Sequence, residues 1–192
     1  LGDQEDADRR MSLAAAAFGS LNKLWLSRGR VSTKRRVRMY NAFVWPILTY
    51  NCATLGLTEE SLRKVSSFHR RQLRKLLGVR WPQRMSCEAV YRTTGAPKLE
   101  EFVAKARVRM LGHVLRLDRD APAQVSMDLF FQREIRKPGR PRACLASAVK
   151  KYIERAGLRF GKKADLAQLR EIASDRVAWR GLVNSLTQRT NA

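Results

Sequence analysis

The densest chemistry in the chain is cationic. Arg133, Arg136, Lys137, Arg140 and Arg142 share one ten-residue stretch, REIRKPGRPR, with a single acid. Pro138 and Pro141 forbid a continuous helix there, and Gly139 lets an anion approach the main chain. A backbone already held extended loses little entropy on binding. The chemistry such a segment suits is contact with phosphates; the plainer alternative is a solvated linker. Three further basic runs fall on predicted helices: Lys34, Arg35, Arg36 and Arg38; Arg70, Arg71, Arg74 and Lys75; and Lys105, Arg107 and Arg109, continued by Arg116. Trp81, between Arg80 and Pro82, is the aromatic expected to be exposed, where it can stack a base. Trp25, Trp45 and Trp179 sit among apolar residues and are expected in cores.

Catalytic constellations are not found. Two-metal polymerase or nuclease chemistry needs clustered carboxylates, and the acids here are dispersed. Glu59–Glu60 and Glu100–Glu101 open predicted helices, where the helix dipole accounts for them. Asp118 and Asp120 flank Arg119 in a predicted turn. No GxxxxGK(S/T) or GxGxxG phosphate loop occurs, and no GxSxG elbow. His69 lies on the inner stripe of its helix. His113 follows Gly112 and has no partner nearby in sequence, so both histidines are expected to be structural. The cysteines, Cys52, Cys87 and Cys144, are odd in number and far apart. They suit a reducing, intracellular compartment rather than a disulfide framework or zinc site. No catalytic residue, no metal site and no cofactor are expected in this chain.

Across 192 residues, 39 Lys and Arg face 17 Asp and Glu, a net charge of +22, and Arg supplies 28 of the 39. Arginine's planar fork suits phosphate and base edges better than lysine does. A charge this large opposes compaction unless a polyanion neutralises it, so RNA or DNA is the expected partner. At 44% hydrophobic residues, the chain is nonetheless of globular composition and long enough to bury a core. Leu1 is not a start methionine, so the chain is expected to be a piece of a longer one.

The elements that must carry these side chains read as helices. Helical spacing predicts Arg9 to Ser27, with Leu13, Ala17, Leu21 and Leu24 along the inner face. Ser32 is placed to cap the next helix, which Pro46 should interrupt. Thr58 caps a third, with Leu62, Val65, His69, Leu73 and Leu76 inside and Gly78 as its stop. Ser86 caps a short helix ended by Gly95. Lys98 to Leu117 is amphipathic, through Leu99, Phe102, Val103, Ala106, Met110, Val114 and Leu117. Further helices are expected at Ala123 to Phe131, Ala143 to Ala156, Asp165 to Ala173 and Asp175 to Leu186. Met39 to Thr58 has no charged residue, yet Asn41, Pro46, Asn51 and Gly56 argue for a buried helix and turn, or for packing against a neighbour, rather than a membrane span.

Several stretches, in order, give the chain a resemblance. VSTKRRVRMYNAFVWPILTYNCATLGLT, FHRRQLRKLLGVRW, RVRMLGHVLRLD, KPGRPR and SDRVAWRGLV resemble the region after the palm in non-LTR (LINE-like) retrotransposon reverse transcriptases. LGHVLRLD, GRPR and DRVAWR together are the most specific. One departure is that a tryptophan and acids commonly follow GRPR in that family, where this chain has ACLASAVKKY. The palm's F/YxDD motif, the endonuclease and a CCHC knuckle have no counterpart here.

The resemblance implies an all-α fold of two helical subdomains joined by the short basic Pro/Gly segment. Residues 1–8 would end the palm region, 9–80 form a thumb-like subdomain, 81–132 a helical connector, 133–142 the basic segment, and 143–192 a C-terminal subdomain. It implies a non-catalytic part of an RNA-directed DNA polymerase used in target-primed reverse transcription, in the nucleus. This part would hold RNA template and primer or target DNA, with Mg²⁺ and the active site in the missing palm. The alternative reading is a free-standing helical DNA-binding or RNA-chaperone protein derived from such an element.

Overall fold

Ten helices and no strand make up the secondary structure of the described residues, which in this computed structural model are 3–25, 31–132 and 144–186. The chain is all-α there, as its periodicity predicts. The Pro/Gly segment, with Arg133, Arg136, Lys137, Arg140 and Arg142, lies outside the described residues, as does the Trp25 side chain. By packing, the chain divides into two units. Residues 1–51 and 57–102 form unit 1, and residues 52–56 and 103–192 form unit 2. The division falls inside one helix, α6. No helix among the described residues is long and apolar enough to cross a membrane.

Unit 1 holds α1 (Asp3–Trp25), α2 (Thr33–Phe43), α3 (Trp45–Thr49), α4 (Glu59–Leu77), α5 (Cys87–Thr94) and the first turn of α6 (Leu99–Leu115). α1 starts earlier than periodicity suggests, because Asp3, Glu5 and Asp6 sit at its positive end. Its inner face is Ala7, Ala14 and Phe18, while Leu13 is exposed. The predicted stripe is thus displaced: small alanines face inward where α1 packs on α3 and α4. Ser32 does occupy the N-cap of α2, but its side chain makes no cap bond. Val44 separates α2 from α3, and Pro46 stands in the first turn of α3, where its missing N–H has no helical bond to make. α4 matches its prediction closely. Thr58 accepts from the Ser61 amide, and Gly78 ends the helix at φ 77°, a left-handed conformation suited to glycine. Leu62, Val65, His69, Leu73 and Leu76 are all buried.

Unit 2 holds the rest of α6, then α7 (Pro122–Gln132), α8 (Leu145–Arg155), α9 (Lys163–Ser174) and α10 (Arg176–Ser185). Val108, Leu111, Val149, Ile153, Leu166 and Leu169 are at the centre of its core. The Phe131 and Phe160 rings meet edge to face at 4.8 Å. α6 is buried on more than one side, with Ala104, Val108, Leu111 and Leu115 enclosed beyond the predicted stripe.

Candidate nucleic-acid interface

The two helices carrying LGHVLRLD and DRVAWR meet in unit 2 through one glycine and one tryptophan. A Cβ on Gly112 would fall inside the Trp179 indole, so only glycine admits the ring this close to α6. The indole N–H donates to the Val108 carbonyl at 3.1 Å. α10 is itself anchored by Asp175, whose carboxylate accepts from the amides of Val177 and Ala178.

This joint leaves a hollow of about 580 Å³ lined by Arg109 and Arg116 of the α6 segment and Arg176 and Arg180 of α10, with the His113 imidazole among them. Trp179, Val183 and Leu117 line it with apolar surface, and among the described residues no acid does. The spacing is what helices require: Arg109, His113 and Arg116 stand at i, i+4 and i+7, and Arg176 and Arg180 at i and i+4. Arg116 donates to the Ala173 carbonyl at 3.0 Å, one of the open acceptors at the end of α9. Arg109, His113, Arg176 and Arg180 are exposed, with no ion pair among the described residues. Clustered guanidiniums without carboxylates repel one another, and an anion relieves that cost. Among the described residues no group of three or more His, Cys, Asp or Glu could hold a metal ion.

The predicted contact residues fare unevenly. Arg109 is in the hollow. Arg107, expected as a contact, is only 4% exposed and donates to the Leu55 carbonyl at 2.9 Å. It is a buried residue, because α6 is enclosed where the sequence suggested a basic side. Arg36 donates to the Val31 and Leu76 carbonyls, and Arg74 to the Met85 carbonyl and Cys87 Sγ. Arg70 is held by Ser66, Ser67 and Glu100. Lys34, Arg35 and Arg38 remain exposed, as do Arg71 and Lys75, while Lys105 is half-buried. The basic start of α2 is notable because its first turn has no acid to offset the helix dipole. Trp81 is 82% exposed, with the Arg84 guanidinium 6.0 Å from its ring centroid. Trp45 and Trp179 are buried, as expected.

The histidines separate. His69 is fully buried. Tyr40 Oη lies 2.7 Å from its Nδ1, and its Nε2 is 3.3 Å from the Pro97 carbonyl. With Tyr40 donating to Nδ1 and Nε2–H donating to Pro97, the neutral ring is fully satisfied. Burial holds its pKa down at about 4, and pushes the Tyr40 hydroxyl up. It is structural, as its place in the stripe suggests. His113 is not: it lines the hollow, and Gly112 makes the helix contact. Sequence reasoning passed over Arg176, Arg180 and His113 as ligands, although the two i, i+4 pairs were there to be seen. What it lacked was the Gly112–Trp179 joint that brings the pairs together. No family model, curated protein or solved structure matches the chain.

Proposed function

We propose that this chain is a non-catalytic nucleic-acid-binding region, the thumb and following segment of a non-LTR retrotransposon reverse transcriptase. It grips RNA template and primer, or target DNA, through Arg and Lys contacts to phosphates. The observation that carries the reading is the acid-free convergence of Arg109, Arg116, Arg176 and Arg180 with His113 on one hollow. Support also comes from where those residues lie: LGHVLRLD and DRVAWR, on which the resemblance leans, form its walls. The net charge of +22 supplies the long-range attraction. In this reading the palm of the same polypeptide is the neighbouring partner, and the Mg²⁺ that serves polymerisation belongs to that palm. The nucleus is the compartment where it acts.

The test is a salt titration of binding by the whole chain to a B-form duplex. Phosphate contacts release counterions, so log K falls linearly with log salt, with a slope near −5 if about six phosphates are neutralised. Affinity that is flat with salt, or absent at low salt, refutes the reading.

A further inference from the structure

The hollow in unit 2 gathers more positive charge than one backbone phosphate can balance. We propose that it is a receptor for the phosphorylated end of a nucleic-acid strand, a terminal phosphomonoester, rather than a seat for a phosphodiester within the strand. The inference rests on the nucleic-acid reading above and narrows its ligand.

Charge is the first reason. Arg109, Arg176 and Arg180 bring three full positive charges with no carboxylate among the lining residues, and Arg116 adds a fourth with one donor on the Ala173 carbonyl. A diester carries one negative charge, whereas a terminal monoester carries about 1.5 to 2 at neutral pH. Donor number is the second. A monoester presents three terminal oxygens to a diester's two, and guanidinium forks bind such oxygens in pairs. The His113 imidazole supplies at least one further N–H. Shape is the third. About 580 Å³ is room enough for a small ligand, in a hollow that stays open to solvent on one side. A phosphate in a continuous backbone touches only a rim, because the chain must pass on in both directions. A strand end can enter. Its phosphate then lies among the forks and its last sugar against the half-buried Leu117, over the buried Trp179. Trp179 is fixed by its bond to Val108 and its seat on Gly112, so the floor is preorganised.

The experiment compares oligonucleotides of one sequence with the whole chain at a fixed 0.15 M salt, a condition at which exposed contacts are screened over about 8 Å. One ends in hydroxyls, one carries a 5′-phosphate and one a 3′-phosphate; binding is read by fluorescence anisotropy. At least one phosphorylated end is expected to bind about tenfold more tightly than the hydroxyl form. The double variant Arg176→Gln, Arg180→Gln is expected to abolish that preference: the phosphorylated oligonucleotides fall to the level of the hydroxyl form, which itself weakens by less because the basic residues outside the hollow still hold its backbone. Both side chains are exposed, and an unchanged far-UV circular dichroism melt checks that the fold survives. Equal, salt-sensitive binding of all three oligonucleotides overturns the strand-end receptor and leaves the nucleic-acid reading standing. No binding of any overturns both. A preference that survives the double variant places the end elsewhere and also overturns the proposal. So does a nucleoside monophosphate that competes as well, mole for mole, as the phosphorylated strand, since the ligand is then a free nucleotide.

Discussion

At the scale of single residues, Gly112 and Trp179 are complementary halves of one joint. Gly112→Ala forces the indole away from α6 and breaks its bond to Val108, so unit 2 should lose about 1–3 kcal/mol, the usual cost of overpacking. The same change in a Trp179→Leu background should cost much less, because the clash is gone. Thermal melts of the four proteins form a double-mutant cycle, and additive losses would refute the pairing. His69 makes a prediction with a sign. Its folded pKa is about 4, against an ordinary 6.5. Below 6.5 the unfolded chain binds the proton and the folded one does not. Stability from the neutral ring is therefore full above 6.5, falls as pH drops towards 4, and is flat below. Across that window the loss is about 3 kcal/mol. Urea unfolding of the parent and His69→Gln should show their difference shrinking by that amount between pH 7 and pH 4; a constant difference overturns the assignment.

Element by element, α6 is where the sequence misled most. A basic side was read from Lys105, Arg107, Arg109 and Arg116, but only the C-terminal part of it faces solvent. Among the described residues Arg107 has no carboxylate partner, and its buried Nε has no hydrogen-bond partner. Burying an ion with no counter-charge costs several kcal/mol, while its charge-assisted bond to the Leu55 carbonyl returns about 1.5–3. Arg107→Met should thus raise the melting temperature and leave nucleic-acid affinity within about twofold. A fall in affinity like that of an exposed arginine would show that Arg107 reaches the ligand. By contrast α4 was legible almost residue for residue, because its cap, stripe and Gly78 stop all obey local rules. α1 was legible as a helix but not in its facing. Alanines at Ala7 and Ala14 carry little hydrophobic signal, and their burial follows from close packing on α3 and α4 that no single helix declares. The hollow was illegible for a related reason. Each i, i+4 pair is ordinary alone, and sequence neighbours do not reveal which helix a glycine admits.

At the scale of the whole molecule, the issue is whether +22 acts as a diffuse field or through places. Three groups of basic residues can be separated by substitution. One lines the hollow; another is at the exposed start of α2, with Lys34, Arg35 and Arg38; the third is in the Pro/Gly segment. If each binds phosphates, Arg109→Ala, Arg176→Ala and Arg180→Ala together should shrink the salt slope by about 0.9 for each phosphate no longer neutralised on B-form DNA. Lys34→Ala, Arg35→Ala and Arg38→Ala should do likewise, as should Arg136→Ala, Lys137→Ala, Arg140→Ala and Arg142→Ala. Because phosphates carry no sequence information, each set should weaken all duplex sequences alike. A purely diffuse field predicts something else: any set removing three charges should have the same small effect on affinity, wherever it lies. The hollow is therefore the deciding case. Its cations are held together without acids, so removing three there should cost more affinity than removing three from the open face of α2. Equal effects of the two triple variants, at matched stability, would mean that net charge alone drives binding and that the hollow is incidental. A weakening confined to one sequence would mean that the substituted residues read bases rather than phosphates.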